Sequence, residues 1–91
     1  MGVEVEVSDE VIDDLDSLFT YKLVVYNDDV NSFEYVIHCF VMVLSMTPEQ
    51  AEQCAWLIHT KGKYAVKHGG YHDLEPYCTA LQDRQLSAKI E

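Results

Sequence analysis

The sequence predicts an α+β domain of order β-α-α-β-α-β, a three-stranded antiparallel sheet with three helices on one face. Three observations lead there. An apolar stripe at helical spacing runs from Phe33 to Leu44, a Thr47-Pro48-Glu49-Gln50 signal opens a second helix close behind it, and short β-rich segments bracket the pair. With 91 residues, 48% of them hydrophobic, the chain has material for one modest core and one domain, since domains need roughly 50 to 200 residues.

Tyr21-Lys22-Leu23-Val24-Val25-Tyr26 is rich in β-branched and aromatic residues, which fit a pleated surface, and reads as the first strand. Asn27-Asp28-Asp29 ends it, because these side chains bond their own backbone in turns. Asn31-Ser32-Phe33-Glu34 resembles a capping box with Asn31 as N-cap. Phe33, Val36, Ile37, Phe40, Val41 and Leu44 then fall on one helical face. Val36 and Ile37 are too close in sequence to face the same way, so one of them should look toward the sheet. Thr47 as N-cap, Pro48 at the first helical position and Gln50 two residues on start the second helix, with Ala51, Cys54, Ala55 and Ile58 inward and Gly62 as its stop. Trp56 falls off that stripe, at the rim or in a patch that meets a partner. Lys63–Lys67 reads as a short strand ended by Gly69-Gly70, and Asp73 as N-cap of a third helix that admits Pro76 in its first turn and turns Leu74, Tyr77, Cys78 and Leu81 inward. Leu86, Ala88 and Ile90 alternate with Ser87 and Lys89 as a last strand.

Charge narrows the function classes. Sixteen acidic residues against six basic ones give a formal net charge of −10, which repels phosphate backbones, so no nucleic-acid partner is expected. Glu4, Glu6, Asp9, Glu10, Asp13, Asp14 and Asp16 crowd a stretch without Lys or Arg, and residues 1–20 read as a flexible acidic arm ahead of a core domain over 21–91. The opening residues lack the positive, then apolar, pattern of a signal peptide, and no apolar run reaches the ~20 residues that span a bilayer. A cytoplasmic protein without a membrane partner is expected. Cys39, Cys54 and Cys78 form no C-x-x-C pair and sit among apolar residues, so buried reduced thiols are expected, with no metal and no cofactor. His68 and His72 are spaced as ligands on a helix would be, but Gly69-Gly70 between them argues against that helix. His38 and Cys39, neighbours on a helix, point about 100° apart and make a poor base and nucleophile. No enzymatic activity is expected.

The residues that carry chemistry are Asn27, Asp28 and His59: an amide oxygen, a carboxylate and an imidazole, all acceptors suited to an ammonium group. On these residues alone the bland alternative stays open. An N-D-D turn is more often punctuation, and a single His late in a helix more often packs or caps.

A wider arrangement adds to this. Tyr21 through Asp29, then Phe33-Glu34-Tyr35-Val36-Ile37, Ser45-Met46-Thr47-Pro48-Glu49-Gln50-Ala51 and Ile58-His59-Thr60-Lys61-Gly62-Lys63, together resemble the ClpS family of adaptors for the Clp protease, over about residues 20–91. The resemblance implies that family's fold, shared with the C-terminal domain of a ribosomal stalk protein. It implies an adaptor that binds the free N-terminal residue of substrate proteins (N-degrons) and delivers them to the N-terminal domain of a Clp-type AAA+ chaperone. Asn27, Asp28 and His59 would clamp the α-amino group, with His59 as a neutral acceptor whose protonation in acid weakens binding. By motif position, Asp29, Asn31, Phe33, Val36, Ala55, Ile58 and Leu86 would wall a pocket for a bulky hydrophobic first side chain. The acidic arm would engage the chaperone's channel or act as a solubilising tail.

Two departures from the family bear on specificity. Val30-Asn31-Ser32-Phe33 stands where the family commonly has a Tyr-Thr-Pro-Met run whose Met gates the pocket, and Ala55 replaces a second pocket Met. One change adds bulk and the other removes it, so a reshaped pocket and a shifted preference are expected. Residues 67–76 also depart from the family's loop into its third helix, where a charged patch docks the chaperone. The alternative to the adaptor reading is a protein-interaction domain of the same fold that docks a partner without binding a degron.

Overall fold

The structure, a computed structural model, describes residues 20–91. The acidic arm, apart from Thr20, lies outside the described residues. Six elements follow in order: β1 (Tyr21–Tyr26), α1 (Phe33–Leu44), α2 (Pro48–Lys61), β2 (Lys63–Gly69), α3 (Tyr71–Asp83) and β3 (Ser87–Ile90). The sheet has the order β2-β1-β3 and is antiparallel throughout. The α+β architecture matches the expected one.

β1 is the central strand, and the register fixes where its end emerges. Tyr26 lies opposite Lys63 at the start of β2 and opposite Ser87 at the start of β3. Whatever follows Tyr26 therefore leaves the sheet between the opening residues of both neighbours. Leu23 pairs with Lys67 and Val24 with Ala65, which leaves Val66 as the extra residue of a bulge. Lys67 beyond the bulge holds its ammonium 4.9 Å from the centre of the Tyr77 ring on α3, a cation–π contact.

Two helix starts differ from expectation. α1 is capped by Ser32, not Asn31: the Ser32 hydroxyl accepts from Tyr35 N–H at 3.1 Å. The Asn31 amide is engaged elsewhere, by the Asp28 carboxylate and the Gln85 carbonyl, so it cannot turn back to cap. Glu34 remains in the first turn, where a carboxylate favours the positive end of the helix. α3 begins at Tyr71 with Gly70 as N-cap, three residues ahead of the expected start. Gly69 completes β2 and Gly70 N-caps α3, so no loop separates the two elements. A Cβ at Gly70 would approach only the Asp73 carboxylate, Oδ2 at 3.3 Å, the tip of an exposed side chain, and Gly70 itself has an extended backbone, φ −70° and ψ 156°. Pro76 consequently sits inside α3, beyond the first turn, and its absent N–H leaves a gap on an exposed face.

α2 starts as the sequence says. Thr47 Oγ1 accepts from Gln50 N–H at 3.1 Å and Gln50 Oε1 accepts from Thr47 N–H at 3.1 Å, a complete capping box. Thr47→Ala is expected to lower stability by about 1 kcal/mol, read as a shifted urea midpoint at constant slope. Gly62 ends the helix with φ +91°, a left-handed conformation that costs a side chain roughly 1 kcal/mol or more.

Leu23 and Val25 on one face of β1 join Phe40, Ala51, Ile58, Leu74, Leu81, Leu86 and Ala88 in one cluster, so the helices cover a single face of the sheet. Cys39 and Cys78 are buried within it, Cys54 is half-buried, and all three are free thiols. Burial pushes the Cys54 thiol up, and burial together with Glu75 pushes Cys78 up, which disfavours the nucleophilic thiolate. No described helix is long and apolar enough to cross a membrane.

Candidate functional site

The end of β1 and the end of α2 meet through the main chain. Asn27 N–H donates to Gly62 C=O at 2.8 Å, and Gly62 N–H donates to Ile58 C=O at 2.9 Å. Asn27 is thereby held one hydrogen bond from the residue that stops α2, three positions after His59. The two parts of the chain that the sequence singled out, separated by about thirty residues, share one rim because of these bonds.

The turn after Asn27 is organised by a carboxylate. Asp28 Oδ1 accepts from Val30 N–H and Asn31 N–H, each at 3.0 Å, and Asn31 Nδ2 reaches Oδ2 at 3.1 Å. Ser87 Oγ donates to Oδ2 at 3.3 Å from the start of β3. Asn31 Nδ2 also donates to Gln85 C=O at 2.9 Å, and Tyr35 Oη to Arg84 C=O at 2.9 Å. Partial burial pushes the Asp28 carboxyl up, but the bonds from Asn31, Val30 and Ser87 together outweigh it and hold it below its ordinary value of 3.8. Asp28 therefore stays charged at neutral pH.

Between this turn and α2 lies a cavity of about 200 Å³, smaller than the ~300–1,000 Å³ of drug-sized ligand sites and suited to a single side chain with a polar head. Its polar margin consists of Asn27, Asp28, Asp29, Asn31 and His59. Its apolar lining is Phe33 and Val36 from α1 with Ala55 and Ile58 from α2. Ala55 and Ile58 are buried, Phe33 and Val36 are half-buried, and His59 is exposed, so the hollow runs from a dry floor to a wet, acidic mouth. Of the two adjacent residues on α1, Val36 lines the cavity and Ile37 does not.

All the site residues named from sequence line this cavity except Leu86. Leu86 belongs to the core, 5% exposed, and its N–H closes the turn after α3 by donating to Leu81 C=O at 3.1 Å. That turn places Gln85 in the left-handed region, φ 73°, and directs Leu86 under the sheet. The sequence reading missed Ser87, whose hydroxyl is visible as a partner of Asp28 only once Tyr26 and Ser87 are known to be opposite each other. It also missed a second hollow. A groove of about 740 Å³ adjoins the first and is lined by Phe33, Glu52, Gln53, Trp56, Leu57 and His59. Among the described residues no group of three or more His, Cys, Asp or Glu is placed to hold a metal ion; His68 lies at the end of β2 and His72 on α3.

Comparison with known proteins gives this geometry its context. Residues 16–89 match the family described as ATP-dependent Clp protease adaptor protein ClpS. The ATP-dependent Clp protease adapter protein ClpS of Synechococcus elongatus is 33% identical over 72 residues, which cover 78% of this chain and 76% of that one. The protein of the same name from Corynebacterium aurimucosum is 31% identical over 71 residues, 78% of this chain and 64% of its own. The fold is similar to that of Agrobacterium tumefaciens ClpS2, solved bound to L-phenylalaninamide, with a TM-score of 0.75 at 20% identity over 80% of this chain and 95% of that chain. On the family match and the extent of these likenesses, the chain belongs to the ClpS family of ATP-dependent Clp protease adaptors.

Proposed function

We propose that this adaptor binds the free N-terminal residue of substrate proteins, with the α-amino group at Asn27, Asp28 and His59 and the first side chain against Phe33, Val36, Ala55 and Ile58, and that it presents them to a Clp-type AAA+ chaperone. The observation that carries the reading is a single small cavity with acceptors at its mouth and apolar residues at its floor. A chain terminus has the same two-part chemistry: an ammonium with three N–H donors and, one carbon away, a side chain. L-phenylalaninamide, the ligand of the structurally similar protein, has a free amine, an aromatic side chain and an amide where a longer chain would continue.

Magnitudes favour capture with release. Burying a Leu or Phe side chain contributes about 1.5–3 kcal/mol, and each charge-assisted hydrogen bond adds about 1.5–3 kcal/mol. Lost translational and rotational freedom offsets roughly 4 kcal/mol or more of that sum, leaving modest affinity. Delivery draws on the chaperone's N-terminal domain as partner. The surface that differs from the family expectation is the direct junction of β2 and α3 at Gly70.

The test is calorimetric titration with two peptides of one sequence beginning with Phe, one with a free N-terminus and one acetylated. Binding of the first alone supports the reading. Equal binding, or none, favours a domain that docks a partner through another surface. Co-sedimentation with a Clp chaperone N-terminal domain then tests presentation.

The pocket walls make a specificity prediction. Phe33 brings bulk and Ala55 leaves room, so restoring bulk at Ala55 alone should overfill the hollow. Ala55→Met is expected to weaken peptides beginning with Phe or Trp about tenfold, in line with ~1–3 kcal/mol for overpacking. Phe33→Met in the same chain should recover most of that loss. A panel of peptides led by Phe, Trp, Leu, Ile and Val, measured by competition, reads both changes.

A further inference from the structure

Trp56 is large, apolar and 58% exposed on α2, in a position that the pocket itself does not explain. It stands edge-on to Phe33, ring centres 6.5 Å apart and planes at 86°, and its ring lies 6.0 Å from the His59 imidazole. Both neighbours line the cavity proposed for the first residue, and both also line the larger groove that Trp56, Leu57, Glu52 and Gln53 complete. The two hollows thus share Phe33 and His59 as a common partition, with the aromatic shelf on the far side.

From this continuity we infer that the groove over Trp56 takes a large apolar side chain from the second or third residue of the substrate, giving the adaptor a preference that extends beyond the first residue. The inference rests on the proposed reading of the adjacent cavity. Reach supports it: an extended chain advances about 3.3–3.6 Å per residue, so the second and third residues of a substrate fall within reach of a groove that shares Phe33 and His59 with the cavity. Chemistry supports it as well. Tryptophan is enriched among the side chains that carry binding energy once a partner desolvates them. The carboxylate of Glu52 in the groove, on a chain of net charge −10, disfavours an acidic side chain there.

The experiment measures affinities of free peptides beginning with Phe that carry Leu at position two, three or five in an otherwise Ser-rich sequence, together with their acetylated twins. Trp56 is the only tryptophan in the chain, so its own emission reports occupancy of the groove. Leu at position two or three is expected to bind about fivefold tighter than Ser there, the order expected for partial burial of a leucine, with a blue shift of Trp56 emission. Leu at position five should give no gain. In Trp56→Ala the Leu-to-Ser ratio should fall toward one, and Trp56→Phe should restore part of it. Free peptides that bind in preference to their acetylated twins, but whose Leu-to-Ser ratio is unchanged in Trp56→Ala, overturn the groove and leave the first-residue reading standing. Free and acetylated peptides that bind alike overturn both. Self-association in sedimentation that Trp56→Ala abolishes assigns the groove to a second copy of this chain, and also overturns the inference.

Discussion

A peptide that begins with Phe is expected to lose about a hundredfold or more in affinity when its amino group is acetylated. The ammonium offers three donors and a charge to a mouth lined by Asn27, Asp28, Asp29 and His59. Acetylation removes the charge and most of the donors, and it adds a carbonyl and a methyl group to a head that must fit a cavity of only about 200 Å³. Two charge-assisted bonds at about 1.5–3 kcal/mol each bracket the loss from ~10² upward, and exposure of His59 to water keeps it toward the lower end. Removal of a single acceptor should cost less: His59→Ala about tenfold, with little change in stability, since the side chain is exposed. The Asp28 oxygens already accept from Val30, Asn31 and Ser87. In the proposed site Asp28 would therefore act on the ammonium mainly through charge, whereas Asn27 and His59 would provide acceptor atoms. Calorimetry on wild type, His59→Ala and Asn27→Ala with both peptides checks this, and undiminished binding of the acetylated peptide would defeat it.

The second large effect concerns Asp28 as the frame of the site. Asp28→Ala deprives two main-chain N–H groups, the Asn31 amide and the Ser87 hydroxyl of their shared acceptor. A stability loss of about 2 kcal/mol is expected, because each bond contributes only ~0.5–1.5 kcal/mol net where water can replace it, together with loss of measurable peptide binding as the turn loosens. Asp28→Asn keeps an oxygen for the main chain and should lose less stability while still weakening binding. The pH dependence has a definite sign. Because the folded carboxyl titrates below its ordinary value, its contribution is fully present above about pH 4 and disappears as pH falls through the folded value. The gap in urea midpoint between wild type and Asp28→Asn should therefore be constant from pH 7 to 5 and narrow below pH 4. A gap that widened in acid would contradict the assignment.

Much of this molecule could be read from its residues, and the failures have local causes. Thr47, Pro48, Gln50 and Gly62 mark the ends of α2 because capping and left-handed turns demand particular side chains. The alternation of Leu86, Ala88 and Ile90 marks β3 because the strand is covered on one face. Asn31 and Gly70 misled for opposite reasons. Asn31 has the chemistry of a cap, but a carboxylate three residues back and a carbonyl far along the chain compete for its amide. Gly69-Gly70 has the composition of a break, yet only its second residue caps a helix. Leu86, placed in the pocket wall by motif position, lies in the core and outside the cavity's lining. The groove beside Trp56 was beyond periodicity altogether. His59, three residues on along α2, is a neighbour that helical spacing predicts, but the contact with Phe33 belongs to the packing of α1 against α2.

The bond from Asn27 to Gly62 has a consequence for how such an adaptor can diverge. It joins peptide groups, so no substitution of a side chain directly removes it, short of proline at position 27. On the proposed reading, Phe33 and Ala55 could then drift, retuning what is accepted, while the distance from Asn27 to the end of α2 keeps its span. Selectivity and anchorage would thereby be separately heritable, and a lineage could change its clientele without rebuilding its fold.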